Sequence, residues 1–346
     1  MAKGPSTIHD RRLLWVLPLL LAALCVGSCR AKSRVDDAID RGAAYLASRQ
    51  SGDGAWRSGV HGVFRDGTAL TPHVLWSISA VRRESQATDR AKHWLEQVDP
   101  DRLAYPTYAA ADASRVLPPE RWLQLLRSRQ LTGPTAGPNA GGWAYPPGPM
   151  DPQAEANTSV TAFAACALAD AGATPDDPAL AAARAFLLRC RNEDGGFRFG
   201  VADTADNKAG PGISYGSATA DAVRGLLACG MSVDDPVVLA AVAWLLSRLD
   251  PGHVSGDFTP ARQPMRDGNY FYYLDALTDA FVRAGVAKDR WADLVAAELC
   301  WRQHSDGSWE NPLSAGREDD PIVATAFAVR VLSRCRPGDQ ITSSRF

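Results

Sequence analysis

One short turn constrains this chain more than any other stretch, because it recurs. Gln303-His304-Ser305-Asp306-Gly307-Ser308-Trp309 lies between two apolar segments of helical spacing. Asp306-Gly307 is a turn signal, since glycine takes the positive φ that a sharp reversal needs, and Trp309 then presents a large flat face. The same order of Gln, three residues, Gly, one residue and Trp returns at Gln50-Ser51-Gly52-Asp53-Gly54-Ala55-Trp56. A weaker copy, Arg191-Asn192-Glu193-Asp194-Gly195-Gly196-Phe197, has Arg for Gln and Phe for Trp, and a fragment, Gly141-Gly142-Trp143, precedes it. One such turn means little. Several, each between two helices, mean a repeat protein.

The segments between the turns read as helices. First helices of hairpins are expected at Ala38–Gln50, Ala87–Gln97, Glu120–Gln130, Ala179–Cys190, Val237–Leu249 and Trp291–Gln303. Second helices are expected near Thr71–Val81, Tyr105–Leu117, Thr158–Ala171, Ser217–Cys229, Tyr273–Ala284 and Ile322–Cys335. The period is about 50 residues. The second helices align: Ala110-Ala111-Asp112-Ala113-Ser114-Arg115 matches Thr219-Ala220-Asp221-Ala222-Val223-Arg224, and both match Thr325-Ala326-Phe327-Ala328-Val329-Arg330. Thr161-Ala162-Phe163-Ala164 follows more loosely. Small residues let helices approach closely, as an inner ring must. With 346 residues, 46% of them hydrophobic, the chain can bury a large core.

The Gln-x-x-Asp-Gly-x-Trp turns resemble the QW motifs of squalene–hopene cyclases and the related repeats of protein prenyltransferase β subunits. Asp267-Gly268-Asn269-Tyr270-Phe271-Tyr272-Tyr273, continuing through Trp291 to the turn at Trp309, resembles bacterial prenyltransferase/squalene-oxidase-repeat proteins. Gly141-Gly142-Trp143-Ala144-Tyr145 followed by Asn157-Thr158-Ser159-Val160-Thr161 does so too. The resemblance implies an all-α fold over residues 37–337: an α/α toroid of six inner and six outer helices around a central cavity, with residues 338–346 as a tail. It also implies that Gln50, Gly54, Trp56, Asp194, Gly195, Phe197, Gln303, Gly307 and Trp309 are scaffold residues tying neighbouring hairpins together.

The first residues read as a targeting segment. Lys3, Arg11 and Arg12 precede an apolar run from Leu13 to Val26, short for a membrane span and of signal-sequence length. Val26-Gly27-Ser28-Cys29 resembles a lipobox, which implies a signal peptide over 1–28, lipid on Cys29, a linker over 29–36 and an exported protein held on the bacterial cell envelope. An ordinary signal peptide and an uncleaved anchor are the alternatives.

Several functions are disfavoured. Formal net charge is −2, with no basic run to track a phosphate backbone, so nucleic acid is not expected as a partner. Cys166, Cys190, Cys229, Cys300 and Cys335 sit in helical patterns and read as small buried side chains. No Asp-x-Cys with a downstream His offers the zinc ligands of a prenyltransferase, and the Gly-Cys-Gly-Glu-Gln thioester motif is absent. No metal and no other cofactor is expected.

Candidates for a site remain. Squalene–hopene cyclases protonate their substrate with Asp-x-Asp-Asp followed by Thr-Ala. The nearest match, Arg317-Glu318-Asp319-Asp320, lacks the first Asp, and Asp320-Pro321 also reads as a helix cap, like Asp177-Pro178 and Asp235-Pro236. Tyr270, Tyr272, Tyr273 and Asp275 either line a pocket or pack between hairpins. Trp143, Tyr145, Glu155 and Asn157 border a long Pro/Gly-rich loop from Thr132 to Pro152. Asp112 and Asp221 are expected to pair within their helices with Arg115 and Arg224. Tyr270, Tyr272, Trp143, Asp319 and Asp320 are expected to approach one concavity, where the turns enter the inner helices.

Two functions follow. The first is a non-catalytic toroid that binds an unidentified small molecule, lipid or protein. The alternative is an enzyme acting on an isoprenoid lipid or a polysaccharide. Convergent buried carboxylates in an open cavity would favour the enzyme, and a plugged cavity the binding module.

Overall fold

The computed structural model describes residues 34–336, apart from 82–84, 147, 152 and 203–206. The expected signal segment, Cys29 and the expected tail lie outside the described residues. The outer helices are α1 (34–48), α3 (Gln86–Glu96), α5 (Glu120–Ser128), α7 (Pro178–Arg189), α9 (Pro236–Ser247) and α11 (Ala292–Arg302). Alternating with them are the inner helices α2 (Leu70–Ser79), α4 (Pro106–Ala113), α6 (Thr158–Asp170), α8 (Gly216–Ala228), α10 (Tyr270–Arg283) and α12 (Pro321–Cys335). Each inner helix packs on the next, and α12 packs back on α2, so the ring is closed. This is the α/α toroid.

Composition separates the rings. In α6 every residue from Thr158 to Leu168 is buried, because alanine, threonine and serine leave room for neighbours on all sides. In α9 only Val238, Ala241, Trp244 and Leu245 are buried, one stripe of a helix whose other face meets water. Asp177, Asp235 and Asp320 each accept a backbone N–H at 2.8 Å, from Ala179, Val237 and Ile322, with proline at the first helical position. The Asp-Pro pairs are therefore caps.

The recurring turns are joints between hairpins. Trp309 donates its indole N–H to the Leu299 carbonyl at 2.8 Å and its backbone N–H to Thr325 Oγ1 at 3.0 Å, linking α11 to α12. Gln303 donates to the carbonyls of Gly307 at 2.9 Å and Ala38 at 2.8 Å. Its own side-chain oxygen accepts from Arg41. Ala38 and Arg41 belong to α1, so this last turn closes the toroid onto its first helix. Gln50 and Trp56 repeat the arrangement with Leu46, Thr71, Gly54, Ala87 and Arg90. The turn glycine is obligatory: Gly307 has φ +91°, and a β-carbon there would stand 2.6 Å from the Arg41 carbonyl oxygen. The weaker copy keeps the backbone link, from Phe197 N–H to Thr219 Oγ1 at 3.0 Å, and uses Asp194 to reach Trp244 of α9 at 2.9 Å.

Trp143 is corrected here from a pocket residue to a third complete joint. Its indole N–H donates to Leu126 at 2.7 Å and its backbone N–H to Thr161 Oγ1 at 3.0 Å. Gln130 supplies the glutamine, donating to Gly141 at 2.8 Å and Ala179 at 2.9 Å. The expected helix Glu120–Gln130 ends at Ser128 because Gln130 has left it for this joint.

Candidate functional site

The ring encloses a cavity of about 570 Å³ that opens where the turns enter the inner helices. All six inner helices line it, by pairs of positions one turn apart: Leu70 and His73, Tyr108 and Asp112, Ser159 and Phe163, Ser217 and Asp221, Asn269 (the α10 cap) and Tyr272, Val323 and Phe327. Residues three or four apart share a helix face, so each helix presents one residue near the mouth and one deeper. Phe64, Tyr105, Tyr145, Phe199 and Arg317 surround the mouth. Arg317 has φ +59°, an uncommon conformation for a residue with a side chain, and its guanidinium lies 5.8 Å from the ring centres of both Phe64 and Tyr105.

Arginines and aspartates plug the ring beyond the cavity. Asp275 is fully buried and accepts from Arg330 at 3.0 Å and Arg334 at 2.8 Å. Burial opposes its charge, but these two guanidiniums win and hold its carboxyl well below the usual carboxylate range. Arg330 also lies 4.0 Å from the Trp76 ring centre and donates to Ser77 Oγ at 3.0 Å. Arg224 pairs with Asp221 at 2.6 Å, as expected within its helix, and reaches Asp279 at 3.7 Å. Arg115 does not take Asp112. It extends to Asp170 at the solvent-exposed end of α6, 3.3 Å away, and stacks 4.5 Å from the Trp76 ring centre.

Asp112 is thereby released to the cavity. It is 2% exposed; its Oδ2 lies 3.4 Å from Nδ1 of His73, and its Oδ1 has no hydrogen-bond partner among the described residues. His73 Nε2 also lacks a partner there, while Nδ1 faces Arg330 at 3.3 Å. On the far wall, Tyr272 donates to Asp221 Oδ2 at 2.7 Å and shares a hydrogen bond with Ser159, which bonds Tyr108 at 2.7 Å. Burial raises the Asp221 carboxyl despite Arg224, and raises the Tyr272 phenol well above its ordinary value.

Of the side chains expected to share a concavity, Tyr272 alone lines this one, together with Tyr145 from the long loop. Tyr270 and Tyr273 point away, hydrogen-bonded to the Pro251 carbonyl at 2.6 Å and Ser255 at 2.9 Å, and so pack between hairpins. Asp275 belongs to the plug. The acidic segment does not form a carboxyl cluster. Asp320 caps α12, Asp319 bonds His61 at 2.7 Å, and Glu318 accepts the backbone N–H groups of Phe271 and Tyr272 at the start of α10. Three successive side chains splay to three partners, so none of them faces the cavity. His73, Tyr108, Phe163 and Phe327 line the cavity as well, and Asp112, expected to pair within its helix, faces it instead. Asp112 carried a signal as a carboxylate on an alanine-rich helix, whereas His73 had none, its partner lying 39 residues away. Among the described residues no group of three His, Cys, Asp or Glu side chains is placed to hold a metal ion.

No protein-family model matches the chain, and no curated protein matches its sequence. Solved structures do match. The type II terpene cyclase MstE from Scytonema, a point variant in complex with its substrate geranylgeranyl dihydroxybenzoate, is 17% identical with TM-score 0.58, over 89% of this chain and 99% of that one. An unsaturated glucuronyl hydrolase specific for heparin is 12% identical with TM-score 0.57, over 87% and 96%. A glycosidase variant is 13% identical with TM-score 0.53, over 88% and 97%. At such identities the likeness concerns the fold alone: the chain has a terpenoid-cyclase-like α/α toroid, an architecture it shares with toroidal glycan-cleaving enzymes.

Proposed function

We propose that the protein is an envelope-anchored lipoprotein whose central cavity takes up a mostly apolar ligand of the isoprenoid class, and that Asp112, partnered by His73, exchanges a proton with it. The observation that carries this reading is the buried Asp112 Oδ1, which lacks a partner among the described residues, on a side chain that lines an aromatic-walled cavity. An unsatisfied buried acceptor costs roughly 1–3 kcal/mol, which a ligand group that shares its proton offsets. Phe163, Tyr272 and Phe327 line the same cavity, and their ring faces favour positive charge on a ligand. An open cavity holding two buried carboxylates supports the enzymatic reading over the non-catalytic one. The substrate named for MstE carries a geranylgeranyl chain, in keeping with an isoprenoid ligand here.

The test is incubation of the purified protein with a panel of polyprenyl alcohols and aryl-prenyl acids, read by mass spectrometry for isomers of unchanged mass. Asp112→Asn is expected to bind the ligand but to form product at least about 100-fold more slowly. Binding without turnover in the wild type would restore the non-catalytic reading. Cleavage of unsaturated oligosaccharides offered in parallel, with no isoprenoid product, would move the substrate to glycans.

A further inference from the structure

The outer helix α11 carries an apolar stripe that the toroid does not use. Trp301 is 78% exposed and Leu294 55%, seven residues apart on one helix face, with exposed Ala297 between them. Elsewhere on the outer ring the exposed large apolar side chains, such as Leu188 and Leu239, occur singly on their helices, which is ordinary for a protein surface. A tryptophan exposed to this degree is suited to an interface where one end of the ring is apolar and the other wet.

The position of this stripe relative to the chain's start gives it a partner. Arg34, the first described residue, has its carbonyl 3.9 Å from Sγ of Cys300, the residue beside Trp301. Arg34 lies five positions after Cys29. A fully extended chain of that length spans at most roughly 18 Å. A lipid on Cys29 would therefore hold the end of α11 within about that distance of the bilayer, near enough for the stripe to reach it. Arg30 and Lys32 lie within this tether and Arg34 at its end, adding positive charge where anionic headgroups would lie.

We infer that the Leu294–Ala297–Trp301 face of α11 docks on the membrane surface, with the Trp301 ring at headgroup level. The inference rests on the reading that Cys29 is lipidated. Docking by this face fixes the orientation of the toroid on the bilayer, which attachment at a single point does not.

The full chain is expressed in a bacterium, purified as the processed protein and checked for lipid by intact mass. It is then reconstituted in phosphatidylcholine–phosphatidylglycerol vesicles whose acyl chains are brominated near the headgroup. Flotation reports anchoring, and quenching of tryptophan fluorescence reports docking. The wild type is expected to float and to be quenched, and Trp301→Phe to float equally while losing at least about half of the quenching. Trp301 is exposed and makes no joint, so this variant keeps the fold, which circular dichroism verifies. A lipidated wild type that floats without quenching, or Trp301→Phe quenched as strongly as wild type, overturns the docking and leaves the anchor standing. An unlipidated chain that does not float overturns both.

Discussion

The carboxyl of Glu318 accepts the backbone N–H of Tyr272 at 2.7 Å, so the segment leading into α12 caps the inner helix beside it. It also accepts from Phe271 N–H at 3.0 Å and from Asn311 Nδ2 at 2.9 Å. Burial outweighs these donors and pushes the carboxyl up to about 7. A folded-state value raised above the unfolded one contributes stability that is complete below about 4.5 and is lost as pH rises through about 7. The stability of the wild type relative to Glu318→Gln should therefore fall by roughly 3 kcal/mol between about pH 5 and about pH 9. Denaturant titrations of both proteins across that range measure it. A difference that does not change with pH contradicts the argument.

Trp143 should behave as scaffold. Trp143→Ala and Trp309→Ala should each destabilise by roughly 3–5 kcal/mol, since both rings are fully buried in equivalent joints. Gln130→Ala should cost roughly 1–3 kcal/mol, having removed the donor shared by two carbonyls. Equilibrium unfolding gives the values, and binding by the folded fraction should be unchanged. A stable Trp143→Ala protein that no longer binds ligand would return Trp143 to the site.

Asp275 should be needed for the plug. Asp275→Asn leaves Arg330 buried without a carboxylate and Arg334 with only Asp279, and the expected loss is roughly 3–5 kcal/mol. Because the pair is buried, this loss should change little between low and high salt in urea unfolding, unlike that of an exposed ion pair. A loss below about 1 kcal/mol would mean that the guanidiniums reach water when the carboxylate is removed.

Asp320→Asn should leave ligand affinity unchanged, because Asp320 caps α12 and does not line the cavity. Asparagine caps nearly as well, so the stability cost should stay under about 1 kcal/mol. Tyr272→Ala, by contrast, should weaken binding, because it removes a wall and leaves Asp221 without its phenol donor. Calorimetric titration of both variants with one ligand compares them directly. Equal loss in both would mean that Asp320 belongs to the site after all.

What the sequence determined by itself was the repeat and the joints. A turn such as Gln303 to Trp309 makes most of its bonds within about one hairpin, to Gly307, Leu299 and Thr325, so its residue types stand at readable spacings. The same locality identified the Asp-Pro caps. The third joint escaped because Gln130 lies 11 residues from its glycine, where Gln303 lies 4 from Gly307. The cavity was decided by tertiary structure alone. Its residues come from helices separated by much of the chain: Arg330 reaches His73 across 257 positions. Inner helices are also buried on every side, so hydrophobic periodicity cannot tell the face toward the cavity from the faces toward neighbours. The charges make the same point. Asp112 and Asp221 stand alike in the sequence, each three residues before an arginine. Only the packed ring, by offering Arg115 a partner in Asp170, left Asp112 to face the cavity with an oxygen unpaired.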